Sequence, residues 1–518
     1  MKVLRRLCFA LVYALPAVLL FSYYPIISLG NNETMNFEFS LPLIWLVLFD
    51  LVAFLSFIAL GLEQKSQHKT ESYSWRYFWT KNFGSLTDRK FFLFALFPFY
   101  ATLSIFWSVN PLRAFLTAGI IWLIFFAVFA LIYLIPLLKP AKQFPYHLVA
   151  VFFISTALVC VFCWIQCLLD VFGVSRNTTL LCLGCTSWTF GFPHPSGFAI
   201  EPQYMGNLLL APTLYALYQL VFREFSRQQR RWLIAFASFF SATLFLTMSR
   251  GAIYAYGIAL VILIIFAILR HLGKERFSLI IIPVVSFLCT LAMQGIFATI
   301  SPTTDNFCTG TTKVIHQLSL GIIDLRPQAA SESDNSSLPE GDTGSVENSV
   351  DNSSDNRPNS NDSDSAQNVP ESKFDGYIPA STNIRLGLSG VALQTWLKNP
   401  MFGVGLGGAG VAISRAFPEN ELAAPNAIIQ NEPISLLLEL GVVGIGLVLL
   451  AFWLAFGSKS EFWSLLDLPL FVALIIAYLI TLQFFSGPAN ALQIYLMPPL
   501  IYCFLYSRSL KSSKSTSR

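Results

Sequence analysis

At about twelve places this chain carries an apolar stretch close to the roughly 20 residues that a helix needs to cross a bilayer. The stretches lie near 7–28, 40–62, 91–107, 112–138, 147–172, 204–222, 232–249, 251–270, 277–299, 433–456, 466–486 and 488–507. Inside hydrocarbon each backbone polar group must be satisfied within the protein, so runs of this kind read as helices. The expected fold is therefore all-α, a polytopic transmembrane helical bundle of about twelve spans. Composition agrees. Of 518 residues, 55% are hydrophobic and only 12% are charged, whereas soluble domains carry about a quarter charged residues. Residues 1–6 and the apolar run after them look like a signal peptide. The run is too long and lacks a small-residue cleavage site, so it reads as an anchor.

Lysine and arginine placement sets the expected orientation. With the N-terminus inside, the cytoplasmic segments include Lys2, Arg5 and Arg6, residues 65–90, Lys139 and Lys142, residues 223–231, Arg270, Lys274 and Arg276, Lys459 and a basic tail at 508–518. The opposite loops are poor in cations. The net charge of +4 is thus a signature of membrane orientation, and no nucleic-acid partner is expected. The domain plan is spans 1–9 in residues 1–300, a non-cytoplasmic loop at 301–431 and spans 10–12 in residues 432–507. Within that loop, residues 331–373 are rich in Ser, Asn, Asp and Glu and read as disordered. Their sequons at Asn335 and Asn352 are ones that such a composition produces by chance. The aromatic segment 71–90 is expected on the inner membrane surface.

Polar residues in apolar surroundings mark the candidate sites. Asp50 lies in the middle of the second stretch, either as a functional carboxylate or as one hydrogen-bonded inside the bundle. Glu201 is followed by Pro202 at a membrane mouth, a position that suits acid/base work or a helix start. His194, between two prolines, reads as a loop residue. Arg250 lies in a Ser249-Arg250-Gly251 turn, either reaching headgroups or clamping a phosphate with its forked donors. Arg385 falls near the centre of the apolar arc of a helix expected over 383–398, capped by Ser381 or Thr382 and stopped by Pro400. A guanidinium there needs a carboxylate or an anionic ligand. Gln430, Asn431 and Glu432 form a polar cluster at the start of the tenth span.

Other motifs are weaker. Gly403, Gly405, Gly407, Gly408 and Gly410 contain a formal GxGxxG without the strand and βαβ unit of a dinucleotide site, so close backbone approach, including to a substrate, is the expected role. Cys160, Cys163 and Cys167 lie on one helix face and read as packing. Cys182, Cys185 and Cys308 are on the non-cytoplasmic side, where an oxidising compartment would allow a disulfide. One CxxC does not make a metal site, and no metal or cofactor is expected.

Taken together, the Ser249-Arg250-Gly251 turn, the Arg385 helix running into Lys398-Asn399-Pro400-Met401-Phe402-Gly403, the cluster before Leu436-Leu437-Leu438-Glu439-Leu440-Gly441, and Trp107-Ser108-Val109-Asn110-Pro111 resemble the O-antigen ligase/O-antigen polymerase family. That resemblance implies a multi-pass cell-membrane glycosyltransferase whose active site lies on the non-cytoplasmic side. The partners it implies are a polyprenyl-diphosphate-linked glycan and an acceptor glycan or lipid. Arg250 and Arg385 would match the family's arginines that grip the donor diphosphate. Ligases of the family carry a histidine just before the tenth span. Here Gln430, Asn431 and Glu432 take its place, which favours a polymerase in which another group, such as Glu201, serves. Two arginines can stabilise a departing diphosphate without a metal. The rival class is a transporter or flippase, which predicts mid-membrane polar residues and internal repeats. Asp50 fits it, and no convincing repeat does.

Overall fold

The computed structural model describes residues 2–21, 25–32, 35–67, 90–138, 140, 143–172, 192–199, 201–300, 307–319, 377–419, 423, 425, 429–457, 468–484 and 492–515. Most of segment 71–90, Cys182, Cys185, Lys459 and the whole of 331–373 lie outside them. The helices, in order, are α1 (Lys2–Leu19), α2 (Leu41–Gln67), α3 (Lys90–Leu103), α4 (Pro111–Phe129), α5 (Phe144–Val171), α6 (Pro202–Phe222), α7 (Arg227–Leu246), α8 (Arg250–Leu269), α9 (Ser278–Ile300), α10 (Phe307–Leu318), α11 (Tyr377–Trp396), α12 (Ala409–Ala416), α13 (Glu432–Gly457), α14 (Leu468–Thr481) and α15 (Leu492–Ser515). A π-helical segment (Ala130–Leu134) extends α4 to Leu137.

Each expected apolar stretch overlaps a helix. Among the described residues, seven helices are long and apolar enough to cross a membrane, and three more apolar helices are shorter. The other two, α1 and α7, begin with cationic turns around Arg5 and Arg230. The first stretch departs from expectation. Its helix stops at Leu19, and an antiparallel hairpin follows, β1 (Pro25–Asn32) with β2 (Met35–Ser40). Pro25 cannot donate to a helical ladder, and the β-branched Ile26-Ile27 pair suits an extended strand. Hydropathy alone does not separate that strand from the helix before it.

The centre of the bundle is α6. Every side chain from Met205 to Phe222 is buried. It packs against α7, α8 and α14, and Tyr215 meets the rings of Phe152 and Phe153 on α5. Its mean hydropathy of 1.3 is the lowest of the seven candidate spans, because it contains Asn207, Thr213, Gln219 and three tyrosines. A helix surrounded by protein tolerates polar residues that a lipid-facing helix would expel. Hydroxyls also tie neighbours together. Ser286 and Thr290 of α9 donate to the carbonyls of Ser238 and Ala242 on α7, each at 3.1 Å. The cysteines at 160, 163 and 167 are buried on α5, and Cys308 is exposed.

A second group of elements is built around α13, which packs on α3 and α11. In it, α13 is interrupted at Gly441, whose φ of 65° and ψ of −170° leave the helical region. A loop from the glycine run fills the break. Val404 and Gly405 donate to the carbonyls of Leu438 and Glu439 at 2.9 Å, and Val442 donates to Pro400 at 3.0 Å. Gly405, at φ +89°, approaches so closely that a β-carbon would lie 2.3 Å from Ser108 Cα. The close approach expected of the glycine run is present. Its partners within the chain are α13, Ser108 and Arg113.

Candidate functional site

Glu201 occupies the N-cap position of α6 with an extended backbone, and Pro202 is the first helical residue. A carboxylate in that position ordinarily caps. This one makes no cap hydrogen bond and instead accepts from Gln203 Nε2 at 2.5 Å. The residue keeps an exposed edge, yet the protein around the carboxyl removes much of its water. That burial pushes its pKa above the ordinary carboxylate value, while the Arg385 guanidinium and the Gln203 amide pull it down. Net, it stays raised.

Tyr204, three residues on, lies within electrostatic reach of Glu201, Arg385 and Glu432. Side chains from the start of α6, from α11 and from α13 are therefore grouped within electrostatic reach of Tyr204. Glu432, the first residue of α13, is 2% exposed, and Tyr495 of α15 lies in its field. Beside it, Asn431 has a structural job. Its Oδ1 accepts from Ile434 N at 3.2 Å, and its Nδ2 donates to Gln483 Oε1 at 3.0 Å. Gln430 is half-buried, and its Oε1 has no hydrogen-bond partner among the described residues.

Arg385 lies on α11, which starts at Tyr377 and not at Asn383. Ser381 and Thr382 are thus inside the helix and do not cap it. Its inner stripe is half-buried Arg385 with buried Leu388, Ala392 and Thr395. Ile384, Leu386, Leu393 and Leu397 are exposed, so the apolar arc is narrower than the sequence suggests. Among the described residues, no carboxylate lies within the 4.0 Å of an ion pair with Arg385.

Arg250 is the first residue of α8. Ser249 caps that helix, accepting from Ala252 N at 3.4 Å, and Met248 turns the chain into it with a left-handed φ of 50°. The approach to neighbours is tight. A β-carbon on Gly206 of α6 would lie 2.9 Å from Ser249 Cβ, and one on Gly251 would lie 2.7 Å from the Phe484 ring. Gln483, bonded to Asn431, and Phe484, packed on Gly251, belong to the same turn at the end of α14. That turn brings the start of α8 to the start of α13. Arg250 consequently lies at the same end of the bundle as Glu201, Tyr204, Arg385 and Glu432.

Three other polar groups belong elsewhere. His194 is buried, and its Nδ1–H faces the Phe192 carbonyl at 3.3 Å. Burial pushes its pKa down to about 4, which suits a loop residue and not a base. Glu439, buried at the α13 break, accepts from the backbone N–H of Gly407 and, at 3.4 Å, of Ala409, with Arg113 nearby. Asp50 lies on α2, which packs against α1 and α4. Both its carboxylate oxygens are buried, with no hydrogen-bond partner among the described residues.

Sequence reading had not singled out Tyr204, Gln483 or Tyr495. The available signals were slight: an aromatic residue one turn after Glu201, and a lone glutamine closing an apolar span.

A family model described as O-antigen ligase matches residues 234–449. The match supports the O-antigen ligase/polymerase family. The matched segment takes in Arg250, Arg385 and Gln430, Asn431 and Glu432. Glu201 and Tyr204 lie before the matched residues. No curated protein matches the chain.

Proposed function

We propose that this protein is a membrane glycosyltransferase of the O-antigen polymerase or ligase type. It moves glycan from a polyprenyl-diphosphate carrier to an acceptor hydroxyl on the non-cytoplasmic face. The observation that carries the reading is the grouping of Arg385, Glu201 and Glu432 within electrostatic reach of Tyr204, at the end of the bundle where α8 begins with Arg250. An anion placed between two guanidinium groups offsets their mutual repulsion. A diphosphate is such an anion, and its oxygens match the forked donors of arginine. The face follows from the distribution of lysine and arginine along the chain.

The chemistry balances with the groups present. The acceptor oxygen attacks the anomeric carbon, and a new C–O bond forms. The bond between that carbon and the phosphate oxygen breaks, and its electron pair leaves with the diphosphate, whose growing charge Arg250 and Arg385 stabilise. Glu201 takes the hydroxyl proton, and its raised pKa brings it closer to the operating pH of a general base. With Gln430, Asn431 and Glu432 at the start of α13 in place of a histidine, polymerisation is favoured over ligation. In this reading Glu432 and Gln430 contact the acceptor, and Asn431 holds them in place.

Transfer assayed in proteoliposomes with Arg250→Lys tests the proposal. Lysine keeps the charge but loses the fork. The expected result is a normally folded protein whose transfer falls about 100-fold, in line with the loss of one preorganised donor. Unchanged transfer would refute the donor-site assignment.

A further inference from the structure

Asn207 is a buried amide that the fold does not use. It is 1% exposed, and neither Nδ2 nor Oδ1 has a hydrogen-bond partner among the described residues. Buried polar groups are nearly always paired, and an orphan is retained at a cost in stability. Its direction follows from its neighbours on α6. Side chains advance roughly 100° per residue along a helix. Met205 lies against Gly197, Gly206 abuts Ser249 and Ala252, and Tyr204 is within electrostatic reach of Glu201, Arg385 and Glu432. Asn207 follows Gly206 by one step and lies a turn beneath Tyr204. It therefore points into the sector between the start of α8 and the Glu201 group, at the level of Arg250.

Tyr478 is a second orphan at similar depth. On α14, which packs against both α6 and α8, it is 3% exposed and its hydroxyl has no partner among the described residues. It lies five residues before Gln483, which Asn431 holds at the rim. Two neighbouring helices thus each carry one unused polar group below the charged site.

We propose that Asn207, with the Tyr478 hydroxyl, forms a neutral sub-site that reads hydroxyl groups on the sugar joined to the donor diphosphate. The proposal rests on the donor site described above. The chemistry selects the ligand. Phosphate oxygens only accept, and the guanidinium groups serve them. A carboxamide both donates and accepts, which matches a sugar hydroxyl. Its place level with Arg250 assigns it to the sugar next to the phosphate and not to the distal glycan. A site built to hydrogen-bond a substrate hydroxyl discriminates strongly, because its own groups are left unpaired when that hydroxyl is missing.

The test uses the purified full-length protein in lipid. Asn207→Leu replaces the amide by an apolar group of similar size, which a purely structural role for this buried position tolerates or prefers. The expected result is an unchanged or raised melting temperature, retained stabilisation by inorganic diphosphate, and transfer from the native lipid-linked donor reduced at least about 30-fold. Tyr478→Phe, which keeps the packing, should lower transfer about fivefold. Wild-type transfer by either variant overturns the sub-site. So does a loss of transfer no larger than the loss of folded protein. If inorganic diphosphate does not stabilise the wild type, or does so equally after Arg250→Gln, the donor site itself fails and takes this inference with it.

Discussion

Arg250 and Arg385 reach the same end of the molecule on two different kinds of support. Arg250 begins a helix in the core, capped by Ser249 and locked by close approach to Gly206 and to Phe484. Arg385 lies on a helix whose outward side chains, Ile384, Leu386, Leu393 and Leu397, are exposed. Its inner stripe rests on α12 and α13, and these are held by the glycine loop and the buried Glu439. The first arginine is placed by dense packing, which resists displacement. The second is placed by a layer whose geometry depends on backbone bonds at one helix break. A site divided in this way has a fixed half and a half that a local change can shift.

The largest expected effects come from breaking each support separately. Gly206→Leu drives a side chain into Ser249 and Ala252 at the centre of the bundle, and no folded protein should be recovered from detergent. Gly405→Val should instead spare the bundle. It forces a β-branched residue to φ +89° with its β-carbon 2.3 Å from Ser108 Cα, a cost of about 3 kcal/mol or more. The expected outcome is a monodisperse protein with undiminished helix content by circular dichroism. Trypsin should reach Lys398 and Arg415 in it, and transfer should be absent. Equal collapse of both variants would show that the two supports are one cooperative unit.

A smaller and more selective effect is expected at Glu201, which belongs to the fixed half. Glu201→Gln should lower transfer about 10²–10⁴-fold, the usual range for a general base. Burial raises this carboxyl above the ordinary carboxylate value, and the base must be deprotonated. Wild-type transfer should therefore fall as pH drops through the raised value, and this limb should vanish in the variant. Stability should move the opposite way. A carboxyl whose folded pKa is raised contributes stability fully below its unfolded pKa and loses it as pH rises through the folded one. Thermal melting against pH, wild type against variant, reads that difference. An acid limb that survives in Glu201→Gln assigns the base elsewhere.

The division into two supports also explains how much was visible in the sequence. The bundle was legible because bilayer-length apolar runs leave the backbone little choice, and the inward placement of Arg385 followed from helical periodicity. The start of α11 was missed because Ser381 and Thr382 resemble caps, while Pro379 is compatible with the first turn of a helix that begins earlier. The start of β1, at residues 25–28, fell within an apolar run that satisfies helix and strand alike. Gly441 looks like any small residue of a membrane helix, so the break that gives the glycine loop its purpose could not be read from α13 alone. Glu201 and Arg385 are far apart along the chain, and only packing shows that they share Tyr204.

The central claim is that both arginines grip one anion. A double-mutant cycle on inorganic diphosphate binding tests it most directly, using the wild type, Arg250→Gln, Arg385→Gln and the double variant. If the supports deliver both guanidinium groups to a single diphosphate, each single change should weaken binding about tenfold or more. The two effects should also couple by more than the roughly 0.5 kcal/mol expected of independent sites. Additive losses, or a loss confined to one arginine, would place the two residues in separate sites and contradict the account.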